Sequence, residues 1–502
     1  MRVRVAIVGA GFAGLGAALR LQAEGEDSFV VLERAPAVGG TWRDNTYPGV
    51  RCDVPAHLYC FSFLPNPSFS SRFARGGEIR DYLERAAEPV REHLRLGTNV
   101  ESAVWSGTGW HLTTSAGPVS ADVLVLAAGR LTAPRLPEVP GRFAGPVFHS
   151  SAWDHSVDLD GARVAVVGTG ASGIQLLPDV AARARSVVVL QRSAPYVLPR
   201  GDVAYGAVEQ ARFAEQPDVL AALRADLFAE AERLYDARVG DLGARQEARA
   251  RALRHLTDQV GDPALRARLT PRHEFGCKRV LFSDDYYPAA ALPHVTVQGP
   301  LSSFEPDAVL TDRDRHEVDV VILATGFHTT RQPYAGLVRG RTGSTLDEHW
   351  VAGMQAYAST AVHDFPNMYI LDGPNASLSH NSAVLMIEAQ IDYVLGALRQ
   401  TPPGVALEVS AAAEDRYAQE MAVRSVGKPW TSGCSNWYTD PRNGRQSLLW
   451  PGRATEFRER FATFDLAPYE RRTVAAAARD RRGGARHDGP VGAESRGAAS
   501  HP

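Results

Sequence analysis

Two stretches of this chain have the residue types and spacing to hold a pyrophosphate. Gly9-Ala10-Gly11-Phe12-Ala13-Gly14 follows the β-rich run VRVAIV and opens AGLGAALRLQAEG, and Gly168-Thr169-Gly170-Ala171-Ser172-Gly173 follows ARVAVV and opens ASGIQLLPDVA. Strand, glycine turn and helix in that order give the turn its meaning. Gly9, Gly11 and Gly14, and again Gly168, Gly170 and Gly173, permit a tight turn, close backbone approach to a pyrophosphate and close helix–strand packing, while the helix N-terminus adds partial positive charge. The first unit continues into SFVVLE, ending at Glu33, where a carboxylate can accept hydrogen bonds from a ribose diol; an adenine dinucleotide is expected there. The second continues into SVVVL and ends in Gln191-Arg192-Ser193. A carboxylate would repel a 2′-phosphate, whereas Arg192 can hold one bidentately with help from Ser193, so the second site is expected to select NADPH over NADH. The plain alternatives are a glycine turn without a ligand and a solvated arginine at a strand end.

Two further runs lie beside these turns. Gly39-Gly40-Thr41-Trp42, Tyr47-Pro48-Gly49 and Arg51-Cys52-Asp53 combine glycines that let a loop approach a ligand, aromatics that offer an apolar wall, and a carboxylate set within it, although an aspartate in a loop is more often a turn residue. Phe143–Asp154, FAGPVFHSSAWD, precedes the second glycine turn and carries Phe143, Gly145, His149, Trp153 and Asp154 in order; read without further context it is a hinge whose His149 and Trp153 pack.

Together, G-G-x-W-x-x-x-x-Y-P-G-x-x-x-D and the Phe143–Asp154 run resemble the two long fingerprints of the type I Baeyer–Villiger monooxygenases. Trp153-Asp154 favours that branch over the sister flavin-containing monooxygenases, which usually have another aromatic residue and a lysine there. The resemblance implies FAD in the first site, NADPH in the second, and insertion of one oxygen atom of dioxygen next to a ketone carbonyl to give an ester or lactone. It implies that Arg279 is the active-site arginine, steadied by Asp53, that Lys278 helps hold the NADPH phosphate, and that His149 belongs to the fingerprint linking the two domains. Gly40, Thr41, Trp42 and Asp53 fall on the flavin side. Asp372, after a strand in FPNMYILDGPN, resembles the carboxylate that touches the ribityl or pyrophosphate part of FAD. The helix expected in SHNSAVLMIEAQIDYVLGAL would turn its positive end to the flavin. Trp437, in the aromatic loop SGCSNWYTDPRNGRQSLLWPG, is a candidate contact in the pocket wall. The rivals are N- or S-oxygenation, electron transfer to a protein or dithiol partner, and non-catalytic nucleotide sensing.

The elements that must position these residues follow from length and pattern. At 502 residues the chain is too long for one core, and its 44% hydrophobic content is ample for several. ADVLVLAAG and VDVVILATGF are continuous apolar runs, the mark of buried parallel strands, and each echoes the other. The expected fold class is α/β, with two interleaved Rossmann-like dinucleotide-binding domains and a helical insertion. We divide the chain into a FAD-binding part (1–137), a NADPH-binding part (138–202), a helical insertion rich in Ala, Arg, Glu and Leu (203–271), a second NADPH-binding part (272–327), a second FAD-binding part with cleft loops (328–467) and a disordered tail (468–502). Net charge of −3 with scattered basic residues gives no footprint for nucleic acid, and no apolar run approaches a membrane span, so a cytoplasmic location is expected. Cys52, Cys60, Cys277 and Cys434 are widely spaced with no C-x-x-C pair, which argues against a zinc site, a disulfide framework and a redox-active dithiol.

Overall fold

The computed structural model describes residues 1–474. Its first sheet is built on β1 (Arg2–Val8), whose Val5, Ala6 and Ile7 have no exposed surface, as a strand covered on both faces requires. The glycine turn at its end leads into α1 (Phe12–Ala23), and the chain returns as β2 (Phe29–Leu32), parallel to β1 with Val5 opposite Phe29. On the other side of β1 lies β3 (Val119–Leu126), also parallel, with Val5 opposite Val123. The meander Val100–Trp105 and Trp110–Thr114 joins β3 antiparallel at its start, and Met368–Ile370 joins its end in parallel. A segment from late in the chain therefore completes the first sheet, and the long helix Ala383–Gln400 packs against α1 behind it.

A second sheet of five parallel strands is built on β4 (Arg163–Val167), α2 (Ala171–Arg183) and β5 (Ser186–Leu190). Val295–Gln298 lies outside β5; Val320–Leu323 pairs with the other side of β4, and Val147–His149 closes the far edge. The run expected as a hinge thus contains an edge strand of this sheet, and Phe143 at its start is buried in one cluster with Ala165, Val188 and Val321. Between the halves of the second sheet the chain is helical, in Ala207–Glu215, Pro217–Tyr235, Leu242–Gln259 and Pro263–Leu269. Among the described residues no helix is long and apolar enough to cross a membrane, and no group of side chains could hold a metal ion.

Two expectations need correction. Tyr469–Thr473 is a strand paired antiparallel with Val405–Val409, so the tail does not begin at 468; the apolar Tyr469 anchors it by burial beside Tyr393, whose hydroxyl lies 2.8 Å from its own. The remainder of the expected tail, 475–502, lies outside the described residues. Cys277 and Cys434, 157 residues apart in sequence, form a disulfide with Cα atoms 6.4 Å apart, within the ordinary range for the bond. Wide sequence spacing had argued against a disulfide, but folding brings the two residues side by side.

Candidate active site

The two glycine turns have the same geometry. Gly9 and Gly168 have φ of +107° and +109°, where an L side chain is strained, and a Cβ on either would run into a carbonyl of the following strand end, Ala127 or Ala324. A Cβ on Gly14 or Gly173 would lie well inside 3.0 Å of the Gly9 or Gly168 carbonyl, which explains the close helix–strand packing. The middle glycines behave differently. A Cβ on Gly11 would meet nothing nearer than the Gly40 Cα at 3.7 Å, and one on Gly170 nothing within 4 Å. Both have ordinary negative φ, −87° and −77°. Nothing among the described residues requires glycine there; open space over a helix N-terminus suits a phosphate that needs bare backbone. The residues present therefore fit a dinucleotide at each turn.

The strand ends differ as their sequences imply. Glu33 is buried, and its carboxylate accepts from the Ala10 and Ala35 backbone N–H groups at 2.9 Å each, with Arg43 at 3.2 Å. Its first role in the fold is thus to fix the glycine turn. At the second site, Lys278 Nζ donates to Ser193 Oγ at 2.6 Å, and the Thr169 hydroxyl donates to the Ser193 carbonyl at 3.3 Å. Burial and then the Arg192 charge lower the Lys278 pKa. Two cations set together without a carboxylate partner among the described residues are suited to an anion, and a 2′-phosphate fits.

Asp53 and Arg279, 226 residues apart in sequence, meet in a bidentate pair: Arg279 Nε donates to Oδ2 at 2.8 Å and Nη2 to Oδ1 at 2.9 Å. The loop carrying Asp53 reaches this place because it is clamped onto α2. Tyr47 OH and Arg51 N–H donate to Gln175 Oε1 at 3.0 and 3.3 Å, and Gln175 Nε2 returns a bond to the Arg51 carbonyl at 3.1 Å. Burial raises the Asp53 pKa, but the Arg279 charge and hydrogen bonds, with the Arg238 charge behind them, outweigh it and hold the carboxyl below its usual range. Asp53 in turn keeps Arg279 firmly protonated against burial. The carboxylate fixes the direction of the guanidinium and leaves part of its fork free.

Two more arginines close on this pair, and neither was singled out in the sequence. Arg238, from the helical segment, is 6% exposed; its Nη1 donates to the Ser379 carbonyl and its guanidinium lies 5.0 Å from the centre of the Phe282 ring. Burial and then the Arg279 charge push its pKa down to about 10, with Asp53 opposing. It is one of many arginines in a charge-rich stretch, and no sequence signal distinguishes it. Arg130, directly after AAG at the end of β3, pairs with Asp372, donating from Nε to Oδ2 at 2.8 Å. Its place after a strand end was the available signal. Asp372 has φ of +59°, its N–H donates to Gln390 Oε1 at 2.9 Å, and its carboxylate is engaged by Arg130.

Ser382 caps the Ala383–Gln400 helix, accepting from the Val384 N–H at 3.2 Å, and Ser379, which Arg238 contacts, lies just ahead of it. Trp42 is buried with its ring 5.5 Å from that of Tyr59; Thr41 beside it is exposed, and Gly40, at φ +51°, brings its backbone close to Gly11. Trp437 is half-buried against Tyr438, which is itself buried and lies within the electrostatic reach of Arg279, Arg238 and Asp53. His149 stands away from this cluster. Its Nε2 lies 3.1 Å from the Gly326 carbonyl, its Nδ1 2.8 Å from Ser151 Oγ, and its ring packs edge-on against Phe327. Burial lowers its pKa, with the Gly326 contact opposing. It ties the edge strand to the segment that returns to the first sheet. Trp153 packs on Phe148, and Asp154 is occupied with the Ser156 backbone and hydroxyl.

Residues 6–207 match the family model described as pyridine nucleotide-disulphide oxidoreductase. The chain is 42% identical over 483 residues to a Baeyer-Villiger monooxygenase of Streptomyces coelicolor, covering 93% of this chain and 92% of that one. It is 40% identical over 492 residues to a Baeyer-Villiger monooxygenase of Pseudomonas aeruginosa, covering 95% and 92%. Among solved structures, an oxidized steroid monooxygenase bound to NADP superposes with a TM-score of 0.78 at 31% identity, covering 92% of this chain and 97% of that one. A closed cyclohexanone monooxygenase gives 0.83 at 26% identity, covering 94% and 99%.

Proposed function

The chain belongs to the Baeyer–Villiger monooxygenases, FAD- and NADPH-dependent enzymes that insert one oxygen atom of dioxygen next to a carbonyl, and on that premise we propose how its residues divide the work. The substrates are a small-molecule ketone and dioxygen, and the product is an ester or lactone. FAD, reduced by NADPH, supplies the activation of dioxygen; the protein supplies binding, orientation and charge. Residues 1–137 and 328–467 hold FAD, 138–202 and 272–327 hold NADPH, and 203–271 lie across both. The strands of the two sheets come from those ranges, which supports the division, with Tyr469–Thr473 added to the FAD side.

Gly9, Gly11 and Gly14 receive the FAD pyrophosphate, Glu33 shapes the turn and faces the ribose, and Gly40, Thr41 and Trp42 line the flavin side. Gly168, Gly170 and Gly173 receive the NADPH pyrophosphate, and Arg192, Ser193 and Lys278 take its 2′-phosphate. Arg279 is the catalytic cation. An oxygen nucleophile attacking a ketone turns the carbonyl oxygen into an alkoxide, and a fixed guanidinium lowers the energy of negative charge on both partners. Asp53 orients that guanidinium and moderates its charge; His149 positions the two sheets, and Asp372, through Arg130, sets the floor of the flavin site. Trp437 is a wall of the cleft. The cytoplasm, where NADPH is at hand, is the compartment this reading assigns.

The observation that carries the proposal is the bidentate Asp53–Arg279 pair, formed between the two dinucleotide units. It is tested by incubating the yellow protein with NADPH and a panel of ketones under labelled dioxygen. One labelled oxygen per ester is the expected result. Faster turnover of an amine or sulfide than of any ketone would move the enzyme to heteroatom oxygenation.

A further inference from the structure

The disulfide joins two parts of the site that are otherwise far apart in sequence. Cys277 is fully buried and immediately precedes Lys278 and Arg279; Cys434 is half-exposed in the loop that carries Asn436, Trp437 and Tyr438. Asn436 knits that loop together. Its amide donates to the carbonyls of Trp430 and Cys434 at 3.0 and 3.3 Å and lies 3.9 Å from both sulfurs; its oxygen accepts from the N–H groups of Tyr438 and Thr439 at 2.9 and 3.0 Å. Farther on, the Trp437 carbonyl accepts from the Thr329 hydroxyl at 2.7 Å. The loop forms a strap over the arginine segment, and the covalent bond is its tie to the residues beside Lys278.

The other two cysteines are placed so as not to compete. Cys52 and Cys60 are buried, and burial pushes both thiols up, so neither offers a thiolate near neutral pH. Redox chemistry is thereby confined to one pair, of which Cys434 is the partly exposed member and Cys277 the buried one. In the reducing cytoplasm that the proposed function assigns, a disulfide is characteristically transient and functional and not a permanent staple.

We propose that Cys277–Cys434 is a redox-modifiable clamp on the active site, closed as a disulfide and opened by a dithiol. Opening is an exchange. A dithiol thiolate attacks Cys434 Sγ, Cys277 leaves as a thiolate and takes a proton, and the second reductant thiol then frees Cys434, so two electrons and two protons pass to the protein while the reductant closes its own disulfide. Closing uses hydrogen peroxide: one thiol becomes a sulfenic acid with release of water, and the other displaces a second water to restore the bond. With the clamp open, the strap lifts from the Lys278–Arg279 segment and NADPH is held less tightly. That last step rests on the NADPH placement proposed above; the covalent and mechanical steps do not.

The test compares full-length protein treated with dithiothreitol and with hydrogen peroxide. Alkylation and peptide mass spectrometry count the thiols, trypsin cleavage at Arg442 and Arg445 reads the strap, and initial rates give KM for NADPH and kcat. Peroxide-treated protein should show the Cys277–Cys434 cross-link. Dithiol should expose that pair alone, speed cleavage in 432–447 several-fold, and raise KM for NADPH several-fold with a smaller change in kcat. Cys434→Ser should match the reduced protein in either buffer; the wild-type comparison stands even if that variant folds poorly. No cross-link after peroxide, or a cross-link that forms and breaks without altering cleavage, overturns the proposal. Changed cleavage in a protein that turns over no NADPH would leave the clamp standing and sink the assigned function instead.

Discussion

Replacing the last and middle glycines of the turns separates the demands of the fold from those of the cofactor. In Gly14→Ala the new methyl would fall well inside 3.0 Å of the Gly9 carbonyl, a distance real Cβ atoms essentially never show, so α1 must move away from β1. Overpacking of this kind costs roughly 1–3 kcal/mol or more, and here the obstacle is backbone and not a side chain that can swing aside. In Gly11→Ala the methyl finds its nearest neighbour at 3.7 Å, and the backbone φ of −87° is open to alanine. Such a replacement commonly stabilises a protein by about 0.4–1 kcal/mol through the unfolded chain. Yet the same methyl occupies the space a phosphate needs to reach the backbone N–H groups. Losing one charge-assisted hydrogen bond there costs about 1.5–3 kcal/mol, or on the order of tenfold to a hundredfold in Kd. Gly170→Ala should do the same for NADPH while leaving FAD bound, since its methyl meets nothing within 4 Å among the described residues. The assay is urea unfolding of the flavin-free proteins beside flavin titration by fluorescence quenching. Wild-type affinity for FAD in Gly11→Ala, or equal loss of stability in Gly11→Ala and Gly14→Ala, would refute the reasoning.

Three other perturbations reach the rest of the site, and a fourth tests a buried histidine of the fold. Arg279→Ala should cut ester formation at least a hundredfold, the loss of an oriented donor worth roughly 3–4 kcal/mol, while NADPH consumption ends as hydrogen peroxide; ester at the wild-type rate would dismiss Arg279 from the chemistry. Arg192→Ala should raise KM for NADPH on the order of tenfold to a hundredfold and leave NADH little changed, which steady-state rates with both cofactors will show. His149→Ala should slow reduction and oxygenation together without loss of either cofactor, and unchanged stopped-flow kinetics would leave it a packing residue. Finally, burial and the Arg224 charge push the pKa of the fully buried His57 from 6.5 to about 4. The unfolded chain therefore binds the proton more readily between those values, and stability falls as pH drops from about 6.5 towards 4; linkage gives about 2 kcal/mol lost by pH 5 from this group. His57→Phe, among Phe69, Tyr205 and Phe213, should remove that share of the acid sensitivity in urea midpoints measured at pH 7 and 5.

What the sequence alone determined is what short-range physics dictates. Gly9 and Gly168 must be glycine because their backbone is left-handed, ADVLVLAAG and VDVVILATGF read as apolar runs because the strands they form, ending β3 and spanning Val320–Leu323, are covered on both faces, and Glu33 and Arg192 stand at strand ends because the turn-to-strand distance is set by one helix. Each depends on neighbours within a single βαβ unit, so residue order suffices. The meetings of distant residues were decided by tertiary packing. Asp53 reaches Arg279 because Gln175 clamps its loop onto α2, and that encounter was implied only by resemblance. Arg238 enters the site because a helix from the charge-rich segment folds back over it, and Arg130 takes up Asp372 because β3 and Met368–Ile370 are neighbours in one sheet. Cys277 and Cys434 carried no mark of their pairing, since a disulfide answers to the distance between two Cα atoms in space, and 157 residues of chain leave that distance undetermined until both domains have folded.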